Sequence, residues 1–399
     1  MGLTAEDQMV QSMPDASPTK WHLAHTTWFF ETFLLKPHLP GYRLFHENFT
    51  YLFNSYYKQV GSHPNRAFRG LFSRPSLEEV HAYRKYVDRH MARLMENSGE
   101  DVAKLVMLGL NHEQQHEELI VTDMKHALWS NPLRPPWKDN QPNAEASVPP
   151  LAWVDFDEGL YSIGYEGDEF SFDNETPRHQ VFLNRYSLAT RLITNGDYLE
   201  FMRDDGYSRP ELWLSDGWDT LCAQRWNAPL YWEEREGQWN VFTVNGVQRV
   251  VMSEPVCHVS YYEADAFARW AGARLPLESE WEVAAAASKI EGNLLESGKL
   301  HRQPLAELAS DSPVTRSSDR RIRQLFGDVW EWTSSPYTAY PGFAPAAGPL
   351  GEYNGKFMSG QMVLRGGSCA TPQSHIRATY RNFFPPHARW QFMGIRLAK

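Results

Sequence analysis

Cysteine is scarce in this 399-residue chain, and several targeting signals are missing as well. Three cysteines, at positions 222, 257 and 369, are too few and too scattered for a disulfide framework or a cysteine-based zinc site. No apolar run is long enough to span a bilayer, and residues 1–11 contain neither a signal core nor a myristoylation pattern. The sequence therefore predicts a cytoplasmic protein without a membrane partner.

Basic residues are also in the minority, because 39 Lys and Arg stand against 49 Asp and Glu. No basic block is long enough to follow a phosphate backbone, so we expect no nucleic-acid partner. Aromatic residues are abundant instead, with 15 Trp, 18 Tyr and 21 Phe making up 14% of the chain. Such a composition favours the binding of small organic ligands.

The chain is longer than one hydrophobic core usually supports, and its two halves have different patterns. Helical spacing from residue 17 onward predicts a first helix capped by Ser17, a second opened by the capping box Ser76-x-x-Glu79, and a third over 101–129. Later residues alternate short strand-like pieces with turn residues, and helices are predicted near 262–271 and 278–287. The predicted organisation is a helical bundle at 1–130, a proline-rich linker at 131–150 and a loop-rich α+β domain at 151–399.

Two histidines of the third helix, His112 and His116, are spaced so that their imidazoles lie side by side and can share one ion. His25 shares a helix face with Trp21 and Trp28 and is predicted to point inward, whereas His22 is predicted to lie off that face. A bundle would bring the three histidines into one interior pocket. Three neutral imidazoles leave other positions of an octahedral ion open for substrate and oxygen.

The residues from His112 to His116 also match the zinc-peptidase pattern H-E-x-x-H, in which Glu113 would be the general base. A metzincin would continue with Gly and His, but Leu119 and Thr122 occupy those positions. A zinc peptidase with a third ligand from elsewhere remains an alternative, and so does a protein that only binds a ligand.

Long motifs carry a resemblance to a known family over nearly the whole chain. The stretches SMPDASPTKWHLAHTTWFFETFLL, LFNSYY and LGLNHEQQHEELIVTD resemble the DinB-type helical domain of the ergothioneine-forming sulfoxide synthases. The second half is similar to the formylglycine-generating-enzyme-type domain, through TRLITNGDYLEFM, GDVWEWTSSPY, LRGGSCAT and RNFFPPHARWQFMGIRLA. The resemblance implies an α+β chain in which a DinB-like bundle precedes a C-type-lectin-like domain.

This family joins a thiol sulfur to C2 of the imidazole of hercynine (N-alpha-trimethylhistidine), using O2, and leaves the product as a sulfoxide. The resemblance therefore implies an Fe(II) enzyme that forms hercynylcysteine sulfoxide, with His25, His112 and His116 as the iron ligands. Holding the thiolate, imidazole and O2 at one ion would pre-orient the reaction. The related selenoneine synthases couple a selenosugar to the same acceptor and remain an alternative. A homo-oligomer is compatible with either function.

The resemblance also implies roles for residues beyond the iron ligands. They are Tyr56 and Tyr57 as candidate proton donors, Gln115 for the hercynine imidazole, Arg66 and Arg69 for the carboxylate of the sulfur donor, Asn382 for the hercynine carboxylate and Phe383 for its quaternary ammonium. Each residue type has an ordinary structural alternative. Tyrosines and phenylalanines pack in cores, and glutamines and arginines are common on surfaces.

One departure from the family pattern concerns the sulfur donor. Members that use gamma-glutamylcysteine carry Asp after the aromatic residue of the RNFF motif, where this chain has Phe384. An apolar side chain cannot pair with the ammonium of a glutamyl group. The sequence therefore favours free cysteine as the donor.

Overall fold

The computed structural model describes residues 2–96, 98–139, 142–305 and 322–399. The chain forms two compact units. The first comprises Met1–Trp137, Gly167–Asp173 and Ala344–Lys356, and the second comprises Lys138–Glu166, Asn174–Phe343 and Phe357–Lys399. Two segments from within the predicted 151–399 domain thus belong to the first unit. In the described part of the chain, no helix has the length and apolar character needed to cross a membrane.

The first unit is helical, and no strand occurs among its described residues. Its helices are α1 (Thr19–Phe30), α2 (Lys36–His38), α3 (Phe49–Leu52), α4 (Leu77–Met95) and α5 (Glu100–Ser130). A π-helical turn joins α1 to α2, and 3-10 turns lie at Asp7–Met9 and Arg66–Leu71. Among the described residues before α1, the helical structure is limited to the short turn Asp7–Met9.

The predicted start of α4 is confirmed, whereas that of α1 is wrong. The capping box is complete, because Ser76 Oγ accepts the Glu79 N–H at 3.2 Å and Glu79 Oε2 accepts the Ser76 N–H at 2.7 Å. Ser17 does not cap α1, which begins at Thr19. Its N–H donates to Asp123 Oδ2 at 2.8 Å, so this residue is used in tertiary contacts instead.

Helix α1 packs against both α4 and α5, and almost its whole circumference is buried. Close approach of α5 depends on Gly109, one turn before the first of its two candidate ligands. A Cβ at this position would lie 2.7 Å from Phe30 Cε1, well inside van der Waals contact. The absence of a side chain here lets the two helices that carry the predicted metal ligands come together.

The second unit combines small sheets with short helices. Its helices are α6 (Asn195–Arg203), α7 (Ser215–Gln224), α8 (Tyr261–Trp270) and α9 (Glu278–Ala285). Its strands are β1 (Trp153–Phe156), β2 (Gly159–Ile163), β3 (His179–Leu183), β4 (Tyr186–Ala189), β5 (Trp232–Arg235), β6 (Gln238–Thr243), β7 (Gly246–Arg249), β8 (Gly292–Asn293), β9 (Phe326–Gly327), β10 (Trp330–Pro336), β11 (Met362–Arg365), β12 (Asn382–Phe384) and β13 (Met393–Gly394). This mixture confirms the predicted α+β character of the second half.

The largest sheet of the second unit has the strand order β12-β11-β10-β13. Strands β10, β11 and β12 are antiparallel, and β13 is parallel to β10. The predicted helices near 262–271 and 278–287 are confirmed as α8 and α9, and α6 and α7 are additional. Residues 131–139 and 142–150, within the predicted linker, form neither helix nor strand.

Candidate metal centre

Three histidines from two packed helices form a cluster in the first unit. Helix α1 supplies His25, and α5 supplies His112 and His116 one turn apart. One nitrogen of each ring lies within 4.8 Å of the others, the spacing of ligands around a single ion. These are the three ligands that the sequence predicts, and we call them the histidine cluster.

Burial keeps the histidine cluster uncharged. It lowers the pKa of His25 well below its ordinary value, with a further contribution from nearby His112. Burial likewise lowers the pKa of His112 to about 3 and that of His116 well below the ordinary value. Removing an imidazolium from water is unfavourable, so the rings remain neutral at physiological pH. Neutral imidazole is the form that binds a metal.

Hydrogen bonding orients His25 toward the centre of the cluster. Its Nδ1–H donates to the carbonyl oxygen of Phe53 at 2.6 Å, which leaves the lone pair on Nε2. That Nε2 is buried and has no hydrogen-bond partner. A buried acceptor without a partner is costly unless something binds it. The cluster therefore fits a metal ion with nitrogen ligands.

His22 lies beside the histidine cluster, so the prediction that it lies off the inward face of α1 is wrong. It is 2% exposed, and its Nδ1 lies 2.8 Å from Nδ1 of His116. Its Nε2 lies 3.1 Å from Oδ2 of Asp123, a residue seven positions after His116 on the same face of α5. The seven-residue spacing from His116 could have indicated Asp123 from the sequence, because residues two turns apart share a helix face.

The carboxylate that a zinc peptidase would use as its base has another partner. Glu113 forms an ion pair with the guanidinium of Arg84 on α4. The same guanidinium contacts Thr26 Oγ1 at 3.3 Å. Glu113 is thus held in a contact between α5 and the neighbouring helices, which argues against the peptidase alternative.

Tyr56 and Tyr57 stack on each other, with ring centroids 4.5 Å apart and hydroxyl oxygens 3.4 Å apart. Tyr57 is fully buried and lies 5.7 Å from Trp28, whose ring is in turn 5.5 Å from that of His25. Tyr56 is only partly buried, and the Lys356 ammonium lies 4.7 Å above its ring. The two tyrosines therefore extend a series of contacting aromatic rings that begins at His25 and continues through Trp28.

Gln115 contacts a tyrosine that the sequence did not predict. The hydroxyl of Tyr353 donates to Gln115 Oε1, and the Tyr353 ring lies 5.7 Å from that of His112. Tyr353 is buried and stacks on Phe172, which belongs to the other late segment of the first unit. No local pattern links this residue to the histidines, because it lies 238 positions after Gln115.

The two arginines predicted to bind the donor carboxylate differ in their surroundings. Arg69 is 6% exposed, and its guanidinium lies 3.5 Å from the centroid of Trp21, which stacks on His25 at 4.6 Å. It donates to Ser17 Oγ at 3.0 Å, and burial lowers its pKa to about 9. Arg66 is exposed and donates to the carbonyl oxygen of Asp15.

The predicted hercynine contacts Asn382 and Phe383 lie on β12 of the second unit. Asn382 Oδ1 accepts the N–H of Phe383 at 2.9 Å, and Phe383 stacks on Tyr337 with a centroid distance of 4.0 Å. Phe384 meets Trp390 edge to face at 5.9 Å. All three β12 side chains are partly exposed, which leaves part of each surface available to a ligand.

Comparison with known proteins gives consistent similarities for both halves. Residues 138–399 match the family model of the sulfatase-modifying factor enzyme 1-like domain. Hercynine oxygenase of Mycolicibacterium smegmatis is 34% identical, over 73% of this chain and 70% of the relative. Hercynine oxygenase of Mycolicibacterium thermoresistibile is 30% identical, over 96% of this chain and 88% of the relative. Ergothioneine biosynthesis protein 1 of Schizosaccharomyces pombe is 27% identical over 58% of this chain and 28% of the relative.

Proposed function

Since this chain belongs to the hercynine oxygenase family, we propose that it uses Fe(II) and O2 to join the sulfur of cysteine to the imidazole C2 of hercynine. The chain is accordingly an oxygenase-type enzyme, and its product would be the sulfoxide of hercynylcysteine. A single observation carries the proposal, namely the buried cluster of His25, His112 and His116. Three imidazoles would leave the other positions of an octahedral ion for the substrates.

The residues of the cluster supply a neutral, pre-oriented set of nitrogen ligands. When bound there, Fe(II) would supply redox chemistry with O2 and positions that bring both substrates together. The protein's own part is to hold these groups in a fixed geometry and away from bulk water. The buried aromatic rings of Trp21, Trp28 and Tyr57 would do this on the α1 side.

Arg69 is the proposed contact for the carboxylate of the sulfur donor. It is a buried cation, and no carboxylate in the described part of the chain lies within ion-pairing distance of it. Its Nε has no hydrogen-bond partner, and with a pKa of about 9 the side chain stays charged at neutral pH. A buried charge of this kind is stabilised when an anion binds beside it. Arg66, which is exposed, is proposed as a second and weaker contact.

Gln115, Asn382 and Phe383 are proposed to bind hercynine. The Tyr353 hydroxyl donates to Gln115 Oε1, and this orients the amide so that its N–H group can donate to an imidazole nitrogen. The Oδ1 of Asn382 accepts a backbone N–H, which leaves its amide donor for a carboxylate. Phe383 offers an aromatic ring, to which a quaternary ammonium is attracted.

Two residues, Phe384 and Arg69, favour cysteine as the sulfur donor because of the charges that each can or cannot pair. Phe384 presents no acid to the ammonium of gamma-glutamylcysteine, so binding that donor would desolvate a charge without pairing it. A selenosugar, the donor in the alternative function, has no carboxylate and would leave Arg69 without its anion. Cysteine fits both residues, because it is small and carries one carboxylate.

Reconstitution under anaerobic conditions tests the proposal. We expect one Fe(II) per chain, followed by O2 uptake and a sulfoxide product when hercynine and cysteine are supplied. Replacing His25, His112 or His116 with Ala should remove iron and turnover together, whereas the control His81→Ala, at an exposed position of α4, should keep both.

Three outcomes would contradict parts of the proposal. Tightly held zinc with peptidase activity would favour the peptidase alternative, and saturable hercynine binding without O2 uptake would indicate a binding protein. Cysteine, gamma-glutamylcysteine and selenoglucose should be compared at matched concentrations. If selenoglucose reacts far faster than cysteine and Arg69→Ala leaves that rate unchanged, the cysteine assignment fails while the metal site survives.

A further inference from the structure

His116 contacts a second buried histidine, and that histidine in turn contacts a buried carboxylate. Asp123 Oδ2 contacts His22 Nε2 at 3.1 Å, and His22 Nδ1 contacts His116 Nδ1 at 2.8 Å. Both His22 and Asp123 are almost fully buried, at 2% and 4% exposure. We propose that His22 and Asp123 are positioning residues that select the metal-binding tautomer of His116. This inference rests on the metal site of the proposed function but not on its substrates.

The direction of the two hydrogen bonds follows from the chemistry of the groups. An ionised carboxylate only accepts, so the Nε2 of His22 carries the hydrogen that points to Asp123. Asp123 Oδ2 also accepts the N–H of Ser17 at 2.8 Å, which fixes the carboxylate as an acceptor from two sides. A neutral imidazole carries a single hydrogen, and in His22 that hydrogen is the one on Nε2. The Nδ1 of neutral His22 then holds a lone pair.

The consequence for His116 is a fixed tautomer. With a lone pair on His22 Nδ1, the hydrogen between the rings belongs to His116 Nδ1, and the lone pair of His116 lies on Nε2. The carbonyl oxygen of Phe53 fixes His25 in the same way at 2.6 Å. A partner of this kind orients a ligating imidazole and raises its basicity. The charge of Asp123 would thus act on the metal through two imidazole rings.

His112 provides a contrast within the same cluster. Its Nδ1 is buried and has no hydrogen-bond partner. Outer partners that select the tautomer are thus seen at His25 and His116. Replacing His22 should accordingly weaken metal binding, although His22 is not one of the three ligands.

Metal affinity in His22 variants tests the inference without turnover. We expect His22→Phe, which keeps a ring but removes the acceptor, to weaken Co(II) and Fe(II) binding by about ten- to hundredfold and to shift the visible spectrum of bound Co(II). His22→Gln offers a carbonyl oxygen to His116 and should recover much of the affinity. The control is His81→Phe, the same substitution at an exposed position of α4.

Asp123→Asn should also weaken binding, but Asp123 anchors Ser17 as well, so the His22 variants are the cleaner test. Circular dichroism of the metal-free chain identifies any variant that fails to fold, in which case His22→Gln carries the comparison. Wild-type affinity and an unshifted Co(II) spectrum in the folded His22→Phe chain would overturn the inference. Complete loss of metal in His22→Gln would also overturn it, because His22 would then be a direct ligand. If the His22 variants lose affinity as expected but the iron-loaded wild type takes up no O2 with hercynine and cysteine, the proposed function alone is contradicted.

Discussion

Tyr56 and Tyr57 are adjacent in sequence, yet their side chains lie in different environments. Tyr57 is fully buried against Trp28, which stacks on His25, whereas Tyr56 is partly exposed beneath Lys356. A proton donor must be close to the reacting groups and shielded from competing water. These surroundings favour Tyr57 as the donor and Tyr56 as the group that hydrogen-bonds to it.

Phenylalanine substitutions separate the two tyrosines. Tyr57→Phe should lower kcat for sulfoxide formation by about a hundredfold, because a positioned general acid contributes on that order. The Fe(II) affinity should stay unchanged, since neither phenol is proposed as a ligand. Tyr56→Phe should cost much less and serves as the matched control. Rapid-mixing measurements of product and O2 would detect the opposite order, which would make Tyr56 the donor.

Individual residues also show which parts of the site could be predicted from the sequence and which could not. His25, His112 and His116 could be predicted because their spacing places them on inward faces. His22 was missed because we assumed that α1 has an outward face, and that assumption was wrong. Three residues before His25 correspond to a rotation of only about 60° around the helix, and α1 is buried on almost every side.

At the scale of elements, the approach of α1 and α5 determines whether the histidine cluster can form. Gly109 lies one turn before His112, and a Cβ there would lie 2.7 Å from the Phe30 ring. Gly109→Val should move the helices apart and weaken Fe(II) binding at least about tenfold, since ligand geometry must hold to within a few tenths of an ångström. Titration of the metal-free chain with Fe(II) measures this effect.

Two further variants identify the cause of the Gly109→Val effect. Ala103→Val, at an exposed position of α5, introduces the same β-branched residue without the steric clash and should leave Fe(II) affinity unchanged. The double variant Gly109→Val with Phe30→Ala restores room and should recover part of the affinity. Equal losses in the Ala103 and Gly109 variants would show that helix propensity matters and helix approach does not.

Element boundaries could be predicted where the signal is local. The capping box of α4 is complete in sequence and in structure, and α5 was predicted to within a residue at each end. Helix α6 begins with an equivalent box, formed by Thr194 and Asp197, and could have been found in the same way. The start of α1 could not be predicted, because Ser17 bonds to Asp123, 106 positions away, instead of capping its own helix.

At the scale of the whole molecule, chain order does not determine which unit a segment joins. Residues Gly167–Asp173 and Ala344–Lys356 follow the helical half in sequence, yet they belong to the first unit. They bring Phe172 and Tyr353 into contact with each other and Tyr353 close to His112. Periodicity reports only on neighbours along the chain, so it could not reveal these contacts.

Acid sensitivity of the folded chain is a property to which both units contribute. His25, His112 and His116 in the first unit and His375 in the second are neutral because burial lowers their pKa values. An unfolded chain protonates each histidine near pH 6.5, whereas the folded chain does not. The unfolded state therefore binds more protons below pH 6.5, and the free energy of unfolding falls as the pH decreases.

His375 allows this effect to be measured away from the histidine cluster. It is 1% exposed, and burial, together with the charge of Arg377, lowers its pKa to about 3. Between pH 7 and pH 5.5 such a residue reduces the free energy of unfolding by about 1 kcal/mol. Denaturant unfolding of His375→Asn should therefore show a smaller acid-induced loss than the wild type by that amount, whatever its stability at pH 7. His81→Asn, at an exposed position, is the control and should lose as much as the wild type. If His375→Asn loses as much too, His375 takes up its proton without unfolding.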